Sequence, residues 1–124
     1  MAINSEKLND ILNNFVSATN DIQGAALVTS DGLPIANSLP GDLDADRVSA
    51  MSAAMLSLGE RIGTELSRGE IQRIYVDGDD GYSVLTSCGQ DVVLLVLASK
   101  AAKQGILQLE IRRTVEELKP ILAF

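Results

Sequence analysis

Hydrophobic positions recur along this chain with two different periods. Leu8, Ile11, Leu12, Phe15 and Val16 follow helical spacing behind Ser5, which reads as an N-cap with Glu6 in the first turn; they predict an amphipathic helix to about Ala18. After Asn20 and Gly24, residues 25–29 read as a strand. Asp31-Gly32 is a hairpin signal, and residues 33–37 read as the returning strand, with Pro34 favouring an outer position in the sheet. Pro40, Gly41 and Asp42 mark a loop. Asp44 then caps a long helix from Ala45 to about Leu66, ended by Arg68-Gly69.

Beyond that glycine the period shortens. Residues 71–77, 81–88 and 92–98 read as strands joined by tight, turn-rich connections, the signature of an antiparallel meander. A last helix begins between Ala102 and Gly105 and carries Leu107, Ile111, Val115 and Leu118 on one face, and Pro120 is expected to stop it. The order is α-β-β-α-β-β-β-α. The run Val92-Val93-Leu94-Leu95-Val96-Leu97 shows no polar alternation, so both of its faces should be buried. That sets it centrally in a five-stranded, mainly antiparallel sheet with helices on both sides: an α/β (α+β) three-layer α/β/α sandwich, one domain over residues 1–124.

The central helix carries two stripes when its residues are set about 100° apart. Val48, Met51, Met55, Leu58, Ile62 and Leu66 form a large apolar stripe, the expected sheet-facing side. Roughly a quarter-turn away lie Ala45, Ser49, Ser52, Leu56, Gly59 and Gly63. Glycine inside a helix costs about 0.5–1 kcal/mol relative to alanine, so two of them call for a compensating close contact. With the terminal helices needed on the opposite face of the sheet, the expected contact is the same helix of a second copy, in a closed two-fold pair. The remaining face holds Asp46, Ala50, Ala53, Ser57, Glu60, Arg61 and Thr64, less charged than an ordinary solvated face and read as a shallow platform for a partner.

Composition narrows the chemistry. Of 124 residues, 46% are hydrophobic and 22% charged, which argues against disorder; aromatics are 3%, so Leu, Ile, Val, Ala and Met must build the core. Seventeen acidic against ten basic residues give a net charge of −7 and no Lys/Arg cluster, so nucleic acid and anionic lipid are not expected partners. One cysteine, Cys88, precludes an internal disulfide and fits a reducing cytoplasm; no apolar run is long enough for a signal peptide or a membrane span. The absence of histidine removes Ser-His-Asp and Cys-His nucleophiles and most zinc sites, and no phosphate-binding glycine loop is present. The run Asp77-Gly78-Asp79-Asp80-Gly81 lacks the EF-hand glycine and glutamate and reads as a turn. Arg47, Arg61, Arg68 and Arg73 read as surface ion-pair residues rather than arginine fingers, and Cys88 as a structural thiol. No cofactor, metal or catalytic residue is expected.

Gly24-Ala25-Ala26-Leu27-Val28-Thr29-Ser30-Asp31-Gly32-Leu33-Pro34-Ile35-Ala36 resembles the first hairpin of Roadblock/light-chain-seven domains. The stretch from Asp46 to Arg61 is similar to their central helix, and Gly81-Tyr82 through Val92-Val93-Leu94 to their meander, so the likeness covers nearly the whole chain. It implies a Roadblock/profilin-like fold and a homodimer whose central helices lie side by side. The edge strand over residues 71–77, with Ile71, Arg73 and Tyr75, would pair with its twin and continue the sheet across both copies. Members scaffold or regulate small Ras-like GTPases. Stand-alone prokaryotic members of the gliding-motility type bind such a GTPase through the paired central helices and stimulate hydrolysis without an arginine finger. The resemblance thus implies a homodimeric GTPase regulator, in its strong form a GTPase-activating protein; the alternative is a dimeric scaffold without effect on hydrolysis.

Overall fold

The computed structural model describes residues 4–122. The elements are α1 (Ser5–Ser17), β1 (Ile22–Thr29), β2 (Pro34–Ser38), α2 (Ala45–Glu65), β3 (Arg73–Gly78), β4 (Gly81–Ser87), β5 (Val92–Ser99) and α3 (Gln104–Leu122), in the expected order. They form one five-stranded sheet, β2-β1-β5-β4-β3, antiparallel at every pairing. β5 is central, as its unbroken apolar run requires, and β3, β4 and β5 form the meander.

Alternate residues of each strand serve opposite faces. Leu27, Val84, Leu94 and Val96 pack with Leu8, Leu12, Leu107 and Leu118 beneath α1 and α3. Ala26, Val28, Leu85, Val93 and Leu95 face the other way, with Val48 of α2. The sandwich is therefore unequal: two helices cover one face and α2 alone covers the other.

Several boundaries move. Asn4, not Ser5, is the N-cap of α1: its Oδ1 accepts the Lys7 amide at 3.1 Å, and Ser5 is already helical. β1 begins three residues early, at Ile22, because pairing with β5 reaches Ala98. β3 begins at Arg73, which leaves Ile71 in the approach to the strand rather than on its edge. Pro120 lies inside α3 rather than ending it. So near a C-terminus proline removes one backbone hydrogen bond only, and buried Leu118 and Leu122 on either side hold the last turn in place.

Cys88 follows β4 fully buried, with its amide donating to the Val92 carbonyl at 2.9 Å. Burial pushes its thiol up from 9.0 to about 11, with Lys119 opposing weakly. The unfolded thiol ionises near 9.0, so this contribution to stability is complete below that pH and is lost as pH rises through about 11. Alkylation by iodoacetamide at pH 8 should be about 100-fold slower in the native protein than in denaturant, given the two-unit fall in thiolate. Equal rates would mean that the β4–β5 turn opens freely.

Candidate protein–protein interface

α2 starts at Asp44, whose Oδ1 accepts the Asp46 amide at 3.0 Å. Its inward side is the small-residue stripe. Ser49 and Ser52 are each only 1% exposed, and their hydroxyls donate to the carbonyls of Ala45 (2.7 Å) and Val48 (2.9 Å), so neither is left unsatisfied against the sheet. A Cβ at Gly59 would lie 2.5 Å from Ile74 Cδ1; one at Gly63 would lie 2.4 Å from the Gly69 carbonyl oxygen and 3.0 Å from Ile71 Cδ1. Beyond α2 the chain folds back beneath it: the amides of Arg68 and Gly69 both donate to the Gly63 carbonyl, at 2.7 and 3.1 Å. Ser67 (φ 55°) and Gly69 (φ 84°) adopt the left-handed conformations that this return needs.

This reverses the roles expected for the two stripes. Ser49, Ser52, Gly59 and Gly63 are buried within their own protomer, with Ala45 and Leu56 half-buried beside them, and so are not a seam for a second copy. The compensating contact for the two glycines is the chain's own return under the helix. Rotated outward instead is the large apolar stripe: Met51 (62%), Leu58 (60%), Ile62 and Leu66 are exposed, Met55 is half-buried, and only Val48 reaches the core.

β3 extends this apolar flank. It ends the sheet with its outer backbone groups unpaired. Ile74 meets Gly59, so Val76, two residues on, lies on the same sheet face; it is 49% exposed. Arg73 and the exposed Tyr75 occupy the opposite face. The two sheet edges differ in protection. β2 carries Pro34, and its Asn37 amide donates to Asn9 Oδ1 of α1 at 3.3 Å. Among the described residues no side chain bonds the backbone of Arg73–Gly78, and the strand has no proline. A regular, unguarded edge beside an exposed apolar helix flank is a template for strand addition.

The opposite flank of α2 holds the other predicted set. Asp46, Ala50, Ser57, Glu60, Arg61 and Thr64 are exposed, and Ala53 is half-buried. The β1–β2 hairpin rests against it: a Cβ at Gly32 (φ 96°) would lie 3.4 Å from Ala53 Cβ and 3.7 Å from Ala50 Cα. Arg61 pairs with Glu65 at 3.2 Å, both exposed, and Arg68 Nε donates to the Leu66 carbonyl. Among the described residues no group of three metal-ligating side chains converges.

The Roadblock/LC7 domain model matches residues 8–98. An uncharacterized protein of Methanocaldococcus jannaschii is 31% identical over 84% of this chain and 90% of its own length. The fold matches that of Myxococcus xanthus MglB, with a TM-score of 0.89, 19% identity and coverage of 98% of this chain and 92% of that one. A Roadblock/LC7 domain from Streptomyces avermitilis superposes with a TM-score of 0.85, 23% identity and coverage of 92% and 96%.

Proposed function

The chain belongs to the Roadblock/LC7 domain family, and on that premise we propose that it is a homodimeric regulator of a small Ras-like GTPase. One observation carries the dimer: the exposed Met51, Leu58 and Ile62 lie beside the open β3 edge, two self-complementary surfaces that one two-fold axis can close together. Antiparallel pairing of β3 with its twin would continue the sheet, while the apolar flanks of the two α2 helices cover one another. The GTPase then docks on the outward faces of the α2 pair, along the flank that includes Ala50, Ser57 and Thr64. Small side chains there admit close approach of a switch loop.

The chain brings no histidine, so no nucleophile–base pair of its own is at work. Stimulation of hydrolysis, on this reading, comes from ordering the partner's switch loops, which requires tighter binding to one nucleotide state than to the other. Arg61 is held by Glu65, in keeping with a mechanism that lacks an arginine finger. The single buried cysteine fits work in the cytoplasm.

The test is a pull-down of the GTPase from the native host, loaded with a GTP analogue or with GDP. Preferential capture of the GTP-analogue form supports regulation; equal capture reduces the chain to a scaffold. Ser57→Arg puts a long cation on the docking flank and should weaken capture at least tenfold without changing the mass of the dimer. Unchanged capture would remove that flank from the docking surface.

A further inference from the structure

On the α2 side of the sheet a cleft of about 380 Å3 opens between the C-terminal half of the helix, the approach to β3 and the β4–β5 turn. Its floor is apolar: Leu85 and Val93 from the sheet, Leu56 from α2 and Ile74 from β3. Three carboxylates stand on its rim, Glu60, Glu70 and Asp91, each exposed. Among the described residues none of the three forms an ion pair; the pairs present are Arg61–Glu65 and Lys100–Asp77. Arg73 also lines the cleft, but Ile74 beside it faces α2, so the Arg73 side chain leaves toward the other sheet face. Asp91 is fixed in position by its carbonyl, which accepts the Ser30 amide at 2.9 Å.

An apolar floor under unpaired carboxylates matches a side chain that is apolar along its stem and cationic at its tip. The volume lies at the small end of ligand sites and suits a few side chains of a crossing segment. We propose that this cleft takes a short, extended peptide segment in which lysine or arginine alternates with leucine or valine, its apolar groups on Leu56, Leu85 and Val93 and its cations against Glu60, Glu70 and Asp91. The cleft lies on the flank of α2 that carries Glu60 and Thr64, and the dimer flank carries Met51, Leu58 and Ile62, so both surfaces can be occupied together. Glu60 and Thr64 are shared with the flank proposed for the GTPase, but the peptide site does not rest on that reading.

The probe is a fluorescein-labelled Ser-Lys-Leu-Lys-Val-Lys-Ser peptide, titrated with the full chain and read by anisotropy and by amide shifts. Binding is expected, with shifts centred on Ile71, Ser87 and Val92. Glu60→Gln combined with Glu70→Gln should weaken it roughly five- to tenfold, as loss of two rim charges does. Glu116→Gln with Glu117→Gln on α3 removes the same charge elsewhere and should leave it unchanged. Peptides with Glu in place of Lys, or Ser in place of Leu and Val, should not bind. No binding of the probe, equal weakening by both double variants, or shifts elsewhere would overturn the proposal. So would cleft shifts that grow with protein concentration alone, since a second copy would then be the occupant.

Discussion

Leu58→Arg is expected to turn the two-copy protein into single chains while leaving each chain folded. In the protomer Leu58 is 60% exposed, so an arginine there has water available and should leave the far-ultraviolet circular dichroism and the thermal midpoint nearly unchanged. In the dimer the same substitution acts twice, because two-fold symmetry brings both copies of the flank into one seam. Each guanidinium would lose water beside methionine and leucine side chains and find no carboxylate in the stripe, at a cost of several kcal/mol. We expect the dissociation constant to rise at least about a thousandfold, or about 4 kcal/mol. Sedimentation at micromolar concentration should then report the chain mass of 13.2 kDa instead of twice that value. An unchanged dimer would exclude this flank; a chain that no longer folds would show that Leu58 supports the protomer.

Gly63→Ala is expected to damage the protomer itself. Alanine is the better helix residue by about 1 kcal/mol, so an open site would gain stability. Here the new methyl would sit 2.4 Å from the Gly69 carbonyl oxygen. Backbone cannot rotate away as a side chain can, and Gly69 is tied to the Gly63 carbonyl by its own hydrogen bond. Overpacking of this kind costs about 3 kcal/mol, for a net loss near 2 kcal/mol and a fall in thermal midpoint of roughly 6–10 °C. Gly59→Ala should cost less, because its obstacle is the terminal methyl of Ile74, which can move. A Gly63→Ala protein as stable as the wild type would mean that the helix end does not sit where the structure has it.

The layers, the strand order and the central position of β5 were legible in the sequence, since each rests on hydrophobic period and turn chemistry alone. The rotation of α2 was not. A helical wheel shows two stripes but not which one meets the sheet, and size favours the wrong choice: Met51, Leu58 and Ile62 look like core. What decides is the room left by the other elements. Ile71, Ile74 and Leu85 already fill the space beneath the C-terminal half of α2, so the helix can lie there only with glycine turned inward. That room is a tertiary property. The glycines did announce a close contact, but spacing along one helix does not say with what. Ile71 failed as an edge residue for a related reason: the return beneath Gly63 consumes the residues before Arg73. The docking flank from Asp46 to Thr64 was legible because it depends only on which side chains are small and uncharged. The carboxylate-rimmed cleft joins residues 30, 60, 70 and 91, and no local pattern links them.

The large apolar stripe of α2, rather than its glycine stripe, is held to face the second copy. Methionine methyls report on this directly, because Met51 and Met55 lie in that stripe and Met1 is the one other methionine in the chain. In a mixture of methyl-labelled and unlabelled protein, isotope-filtered spectra should show transfer from the Met51 and Met55 methyls to protons of the other copy. Dimers by mass with no intermolecular transfer at either methyl would contradict the account.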